Sequence, residues 1–175
     1  GTPLVNTRPD ISASVSILAK KSCKPKQEDW NELKRVLKYL KGTANLKLAI
    51  SKHNFNGQSL YGFSDANWAE DRNDRKSNSG HVFLVNGGTD CWSSRKQSLT
   101  ALSTCEAEFV ALSEACRAAS WIRRVLISLK QNIPNETTIY EDNQSCLDLV
   151  AEEQRLSDQS KHIDTRFHFV KDYIS

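Results

Sequence analysis

Apolar residues return every three or four positions in two stretches near the start of the chain and in one long stretch at its middle. Elsewhere they alternate or gather in short runs, so the pattern predicts helices in the first case and strands in the second. Thr7-Arg8-Pro9-Asp10 reads as a turn into a helix over residues 11–21, which Pro25 stops. Trp30, Leu33, Leu37 and Leu40 then mark the inward face of a second helix over residues 29–41, with Gly42 as its end. Residues 46–50 alternate briefly, and residues 51–58 are polar and linker-like. A boundary is expected there, between a helical segment (1–50) and a second domain (51–175).

The second domain opens with a strand over residues 60–65, followed by a polar loop over 70–76 and a strand over 81–85. Asn86-Gly87-Gly88 makes a hairpin turn into a third strand around Cys91-Trp92-Ser93. A long helix is predicted over residues 104–130, its buried stripe made of Val110, Ala111, Ala115, Ala118, Trp121, Ile122, Val125 and Leu129. Pro134 ends that region. A fourth strand (138–142), a short helix (144–151) and a last amphipathic stretch carrying Ile163, Phe167, Val170 and Ile174 complete the chain. Three antiparallel strands, a helix, then another strand and helix describe a layered α/β domain.

Composition excludes more than it selects. With 38% apolar and 26% charged residues the chain is neither disordered nor membrane-spanning, and it carries no signal-peptide pattern. Five cysteines without C-x-x-C spacing are expected to be reduced, intracellular and mostly buried. The net charge of +3 is small, but residues 20–47 hold nine Lys or Arg against three acids. Two readings of that run stand side by side: a solvated helix face, or a surface that tracks phosphates through residues such as Lys34, Lys38 and Lys41. With no Met, and so no initiator residue, the sequence is expected to be a piece of something longer.

The chemistry lies in three acids, each at the mouth of a different predicted element. Asp65 closes the first strand, Glu106 opens the long helix and Asp142 closes the fourth strand. Ligand sites in α/β sheets gather at the carboxyl ends of strands, and carboxylates from separate elements suit hard divalent cations and phosphodiester chemistry. Each acid also has an ordinary explanation. Ser103-Thr104-Cys105-Glu106 fits a capping box, which taken alone is the favoured reading of Glu106. Asp142-Asn143 could cap the next helix, and Asp65 could be a turn residue. The four histidines lack zinc-site spacing, Ser103 and Cys105 have no neighbouring His to activate them, and there is no glycine-rich phosphate loop.

At these residues the chain resembles the ribonuclease H domain of copia-type LTR-retrotransposon Pol polyproteins. The similar blocks, in order, are Thr7-Arg8-Pro9-Asp10-Ile11, residues 34–43, Ser64-Asp65-Ala66-Asn67-Trp68-Ala69 and Asp74-Arg75-Lys76-Ser77. Then come Ser103-Thr104-Cys105-Glu106-Ala107-Glu108, Asp142-Asn143-Gln144-Ser145 and Lys161-His162-Ile163-Asp164. The resemblance implies a ribonuclease H-like mixed sheet, strands one to three antiparallel and strand four parallel to strand one, with flanking helices. Residues 1–50 would then be the thumb or connection of the reverse transcriptase. Residues 51–175 would be the nuclease, ending before its last strand and helix.

The implied activity is Mg²⁺-dependent hydrolysis of the RNA strand of RNA–DNA hybrids during reverse transcription. Two ions take part, Mn²⁺ being a possible substitute. Asp65, Glu106 and Asp142 would be three of four metal-binding carboxylates. Gln144 and Ser103 would lie along the hybrid-binding groove. The family's fourth carboxylate would follow Ser175, and Asp164 is the nearest substitute, though its Lys-His-Ile-Asp block suits a helix-surface or packing role. Implied partners are the hybrid and the polymerase domain of the same polyprotein, with no membrane. The implied location is intracellular, in cytoplasmic virus-like particles with access to the nucleus. Such a chain is expected to bind hybrid weakly and to cleave poorly or with Mn²⁺ alone. A host-adopted or inactive domain kept for nucleic-acid or protein binding is the alternative.

Overall fold

The computed structural model describes residues 7–49, 58–69, 74–151, 166, 168–170, 172 and 173. The chain divides into two compact units, Gly1–Ile50 and Ser51–Ser175.

In the first unit, α1 (Pro9–Lys20) starts on Pro9, where a missing N–H costs nothing, and carries Asp10 in its first turn and Lys20 in its last. Helix α2 (Gln27–Gly42) is capped by Asp29, whose carboxylate accepts the Lys26 N–H at 2.8 Å and pairs with the Lys21 ammonium at 2.8 Å. Arg8 ties the far ends together, donating to Asp10 at 2.8 Å and to the Thr43 hydroxyl at 2.7 Å. The expected inward packing of α2 is corrected here. Trp30 and Leu37 are each 53% exposed, and Leu33 is exposed as well. Between α1 and α2 lies an open groove of about 580 Å³ lined by Val15, Leu18, Trp30, Leu33 and Val36. One short helix cannot cover the whole apolar stripe of a longer one.

The second unit holds β1 (Leu60–Asn67), β2 (Asn78–Val85), β3 (Gly88–Lys96), α3 (Thr104–Ser128), β4 (Thr138–Tyr140) and α4 (Gln144–Ala151). The sheet order is β3-β2-β1-β4, with β1–β2 and β2–β3 antiparallel and β1–β4 parallel. This is the mixed sheet that the ribonuclease H resemblance implies. Asn86 (φ 49°) and Gly87 (φ 80°) turn the β2–β3 hairpin in the left-handed conformations that suit a two-residue loop. Gly62 is required by packing, since a methyl at that position would run into the Phe83 ring.

Helix α3 has two buried lines. Ala107, Ala111, Ala115 and Ala119 recur every four residues and let the helix approach the sheet closely, Ala115 and Ala119 packing with Leu60, Phe83 and Ile122. Phe109, Leu112 and Cys116 form the second line, against Cys146 of α4 and Val170. The expected stripe included Trp121 and Leu129, but these are 58% and 61% exposed. Trp121 lies four residues after Arg117 and three before Arg124, so helical spacing puts it on their solvent-facing side.

Candidate metal centre

Parallel pairing sets the first half of the site. Phe63 of β1 is opposite Tyr140 of β4, and β4 ends at that residue. Two residues further along each chain stand Asp65, still within β1, and Asp142, just beyond β4. The common step brings the two aspartates to the same end of the sheet. The chain turns immediately afterwards, because the Asn143 side chain accepts the Cys146 N–H at 2.9 Å and starts α4. Asn143 is therefore the cap of that helix.

The second half comes from α3, where Glu108 and not the expected Glu106 joins the two aspartates. Ser103 caps the helix by accepting the Glu106 N–H at 3.1 Å, and the Glu106 carboxylate accepts the Leu102 N–H at 2.7 Å. Glu106 is thus engaged at the helix start through its backbone N–H to Ser103 and its carboxylate to Leu102, and it is not part of the carboxylate cluster. Glu108, two residues and about 200° further round the helix, is 7% exposed. Oxygens of Asp65, Glu108 and Asp142 all lie within 4.8 Å of one another.

The electrostatics of this cluster are those of a site short of positive charge. Burial raises the Glu108 pKa to about 7, and repulsion from Glu141, Asp65 and Asp142 adds to the effect. Glu141 is also raised, first by burial and then by Asp142 and Asp65, while its hydrogen bond from the Asn143 N–H at 3.2 Å opposes the shift. One Glu108 oxygen is buried without a hydrogen-bond partner. An orphaned carboxylate oxygen beside two aspartates is a hard-oxygen donor set that fits Mg²⁺ or Mn²⁺.

The other expected site residues are dispersed. Ser103 is spent on the cap, and Gln144, the first residue of α4, donates to Asp148 at 2.7 Å. Lys34, Lys38 and Lys41 are exposed on α2, in the first unit. Asp164 lies outside the described residues, as do His162 and Phe167. Sequence reasoning missed Glu108, although a signal was present. Glu106 already had a complete explanation as a cap, which left Glu108 as the acid of that block without one.

The fold and the cluster together define an α/β domain built to gather carboxylates at one end of its sheet. No protein-family model matches the chain. It is 35% identical over 173 residues to the retrovirus-related Pol polyprotein from transposon TNT 1-94 of Nicotiana tabacum, which covers 98% of this chain and 12% of that protein. It is 43% identical over 119 residues to the secreted RxLR effector protein 161 of Plasmopara viticola, covering 68% of this chain and 82% of that protein. Among solved structures it is similar to RNase H1 from the halophilic archaeon Halobacterium salinarum NRC-1, with TM-score 0.47 and 13% identity over 66% of this chain and 76% of that one. The chain belongs to the retrovirus-related Pol polyprotein family of plant transposons, and it spans about an eighth of the length of the tobacco polyprotein. Among the described residues, no helix is long and apolar enough to cross a membrane.

Proposed function

We propose that this chain is the ribonuclease H portion of a copia-type retrotransposon Pol polyprotein. It hydrolyses the RNA strand of RNA–DNA hybrids during reverse transcription, and its partner is the polymerase domain of the same polyprotein. The observation that carries the reading is the convergence of Asp65, Glu108 and Asp142 within 4.8 Å. When bound there, a pair of Mg²⁺ ions, or Mn²⁺ in their place, supplies activation of the attacking water and stabilisation of the leaving 3′ oxygen. Asp65 and Asp142 offer charge at the open end of the sheet, and Glu108 completes the donor set from the helix side. Gln144, two residues after Asp142, and Ser103, the cap of α3, would meet the hybrid in this reading. Lys34, Lys38 and Lys41 would contribute phosphate contacts, which fix position without reading sequence, while 2′-hydroxyl contacts would select the RNA strand.

A second reading, a binding module without catalysis, draws support from the effector relative. There, the aligned 119 residues make up 82% of that protein. One experiment separates the two. An end-labelled RNA–DNA hybrid is incubated with the chain in Mg²⁺, in Mn²⁺ and in chelator, beside Asp142→Asn. Cleavage that needs the metal and is lost in Asp142→Asn supports the nuclease. Binding without cleavage under every condition supports the module.

A further inference from the structure

The acid cluster depends on where the first turn of α3 sits against the sheet, and the packing there is smooth. Ala66, Ala101, Ala107 and Ala111 form its contact, and methyl groups alone offer little resistance to a small slide along the sheet. One buried polar side chain in this region is Gln97, which directly follows β3 and is 3% exposed. Its amide donates to the Ala107 backbone carbonyl at 2.9 Å and to the Ser79 hydroxyl at 2.9 Å. Its backbone N–H donates to the Ser77 carbonyl at 2.8 Å, and the Ser77 hydroxyl accepts the Ala69 N–H at 3.1 Å. Ala107 immediately precedes Glu108, and Ala66 immediately follows Asp65.

The orientation of that amide is set by chemistry. A backbone carbonyl only accepts, so the NH₂ group must face Ala107. The consequence is that the Gln97 carbonyl oxygen is buried without a partner. Leaving such a group unsatisfied is costly, and a leucine of similar volume would fill the space without that cost. A residue that served only to pack would not need the amide.

We propose that Gln97 is a positioning residue for the metal centre, fixing the first turn of α3 to β2 and β3 so that Glu108 meets Asp65 and Asp142. This rests on the metal-binding reading above. The test compares Gln97→Leu with Ser79→Ala, which disturbs the same network but keeps the bond to Ala107. Mn²⁺ affinity is measured by calorimetry, with Asp65→Asn as the control, and amide hydrogen exchange over residues 108–112 is measured without metal. The expected result is about 10-fold weaker Mn²⁺ binding and at least about 10-fold faster exchange in Gln97→Leu, with both near wild type in Ser79→Ala. Equal losses in the two variants, or wild-type affinity and exchange in Gln97→Leu, would overturn the assignment. If wild type and Asp65→Asn bind Mn²⁺ alike, the metal reading fails and the exchange rates alone decide the anchoring. Gln97→Asn keeps the amide but shortens its reach, and it replaces Gln97→Leu should the latter not fold.

Discussion

At the scale of single residues, Glu106 serves the helix cap, whereas Glu108 joins Asp65 and Asp142 in the carboxylate cluster. The two share a helix and a charge, yet two residues are about 200° of rotation, so they face nearly opposite ways. Local spacing made the cap legible at Ser103-x-x-Glu106, and strand ends made Asp65 and Asp142 legible. What the sequence could not reveal was which side of α3 faces β1, since that depends on how the alanine line beds against the sheet. The two acids should accordingly respond in opposite ways to removal of the carboxylate. At pH 8, above the Glu108 pKa of about 7, the buried group is charged beside other acids. Glu108→Gln should therefore raise the melting midpoint in chelator, because it removes a disfavoured charge, while weakening Mn²⁺ binding at least about 10-fold. Glu106→Ala should lower stability by about 1 kcal/mol, the size of one lost hydrogen bond, and leave Mn²⁺ affinity unchanged. Thermal scans with and without metal read both effects; the reverse pattern would restore Glu106 as the ligand.

At the scale of elements, legibility followed how local the cause was. The hairpin at Asn86-Gly87 was readable because its turn demands positive φ at two positions, and both angles are positive. The extent of α4, Gln144–Ala151, was likewise readable from local sequence. Helix faces fared worse. The stripe assigned to α3 included Trp121 and Leu129, and that assigned to α2 included Trp30 and Leu37, all of which are exposed. An apolar residue at helical spacing marks a possible buried face, but whether anything covers it is a tertiary fact. Gly62 shows the same dependence on a distant partner. Nothing beside it in β1 requires glycine; Phe83, opposite it in β2, fills the place of a side chain. Gly62→Ala should destabilise the chain by about 1–3 kcal/mol, as overpacking does. Gly80→Ala, where an added methyl would meet only ordinary contacts at 3.8 and 3.9 Å, should stay within about 0.5 kcal/mol of wild type. Urea unfolding measures both, and equal effects would show that the Phe83 ring moves aside.

At the scale of the whole molecule, charge and chemistry are segregated. The basic run at residues 20–47 belongs to the first compact unit, and Asp65, Glu108 and Asp142 belong to the second. A chain of net charge +3 has no strong overall attraction for nucleic acid, so affinity for a hybrid should rest on local lysines. Lys34, Lys38 and Lys41 are exposed on α2, and phosphate contact and mere solvation of that helix predict different salt dependence. Each phosphate contact releases about 0.9 counterions from a duplex, so the salt dependence of binding counts such contacts directly. Changing all three lysines to Glu should weaken hybrid binding and reduce the slope of log K against log salt by up to about 3. In the proposed reading it should leave Mn²⁺ affinity at the carboxylate cluster unaltered, because none of the three lysines belongs to that cluster. Fluorescence anisotropy with a labelled hybrid over a range of salt concentrations gives the slope, and calorimetry gives the metal affinity. An unchanged slope would assign these lysines to solvation and move the search for phosphate contacts to the second unit.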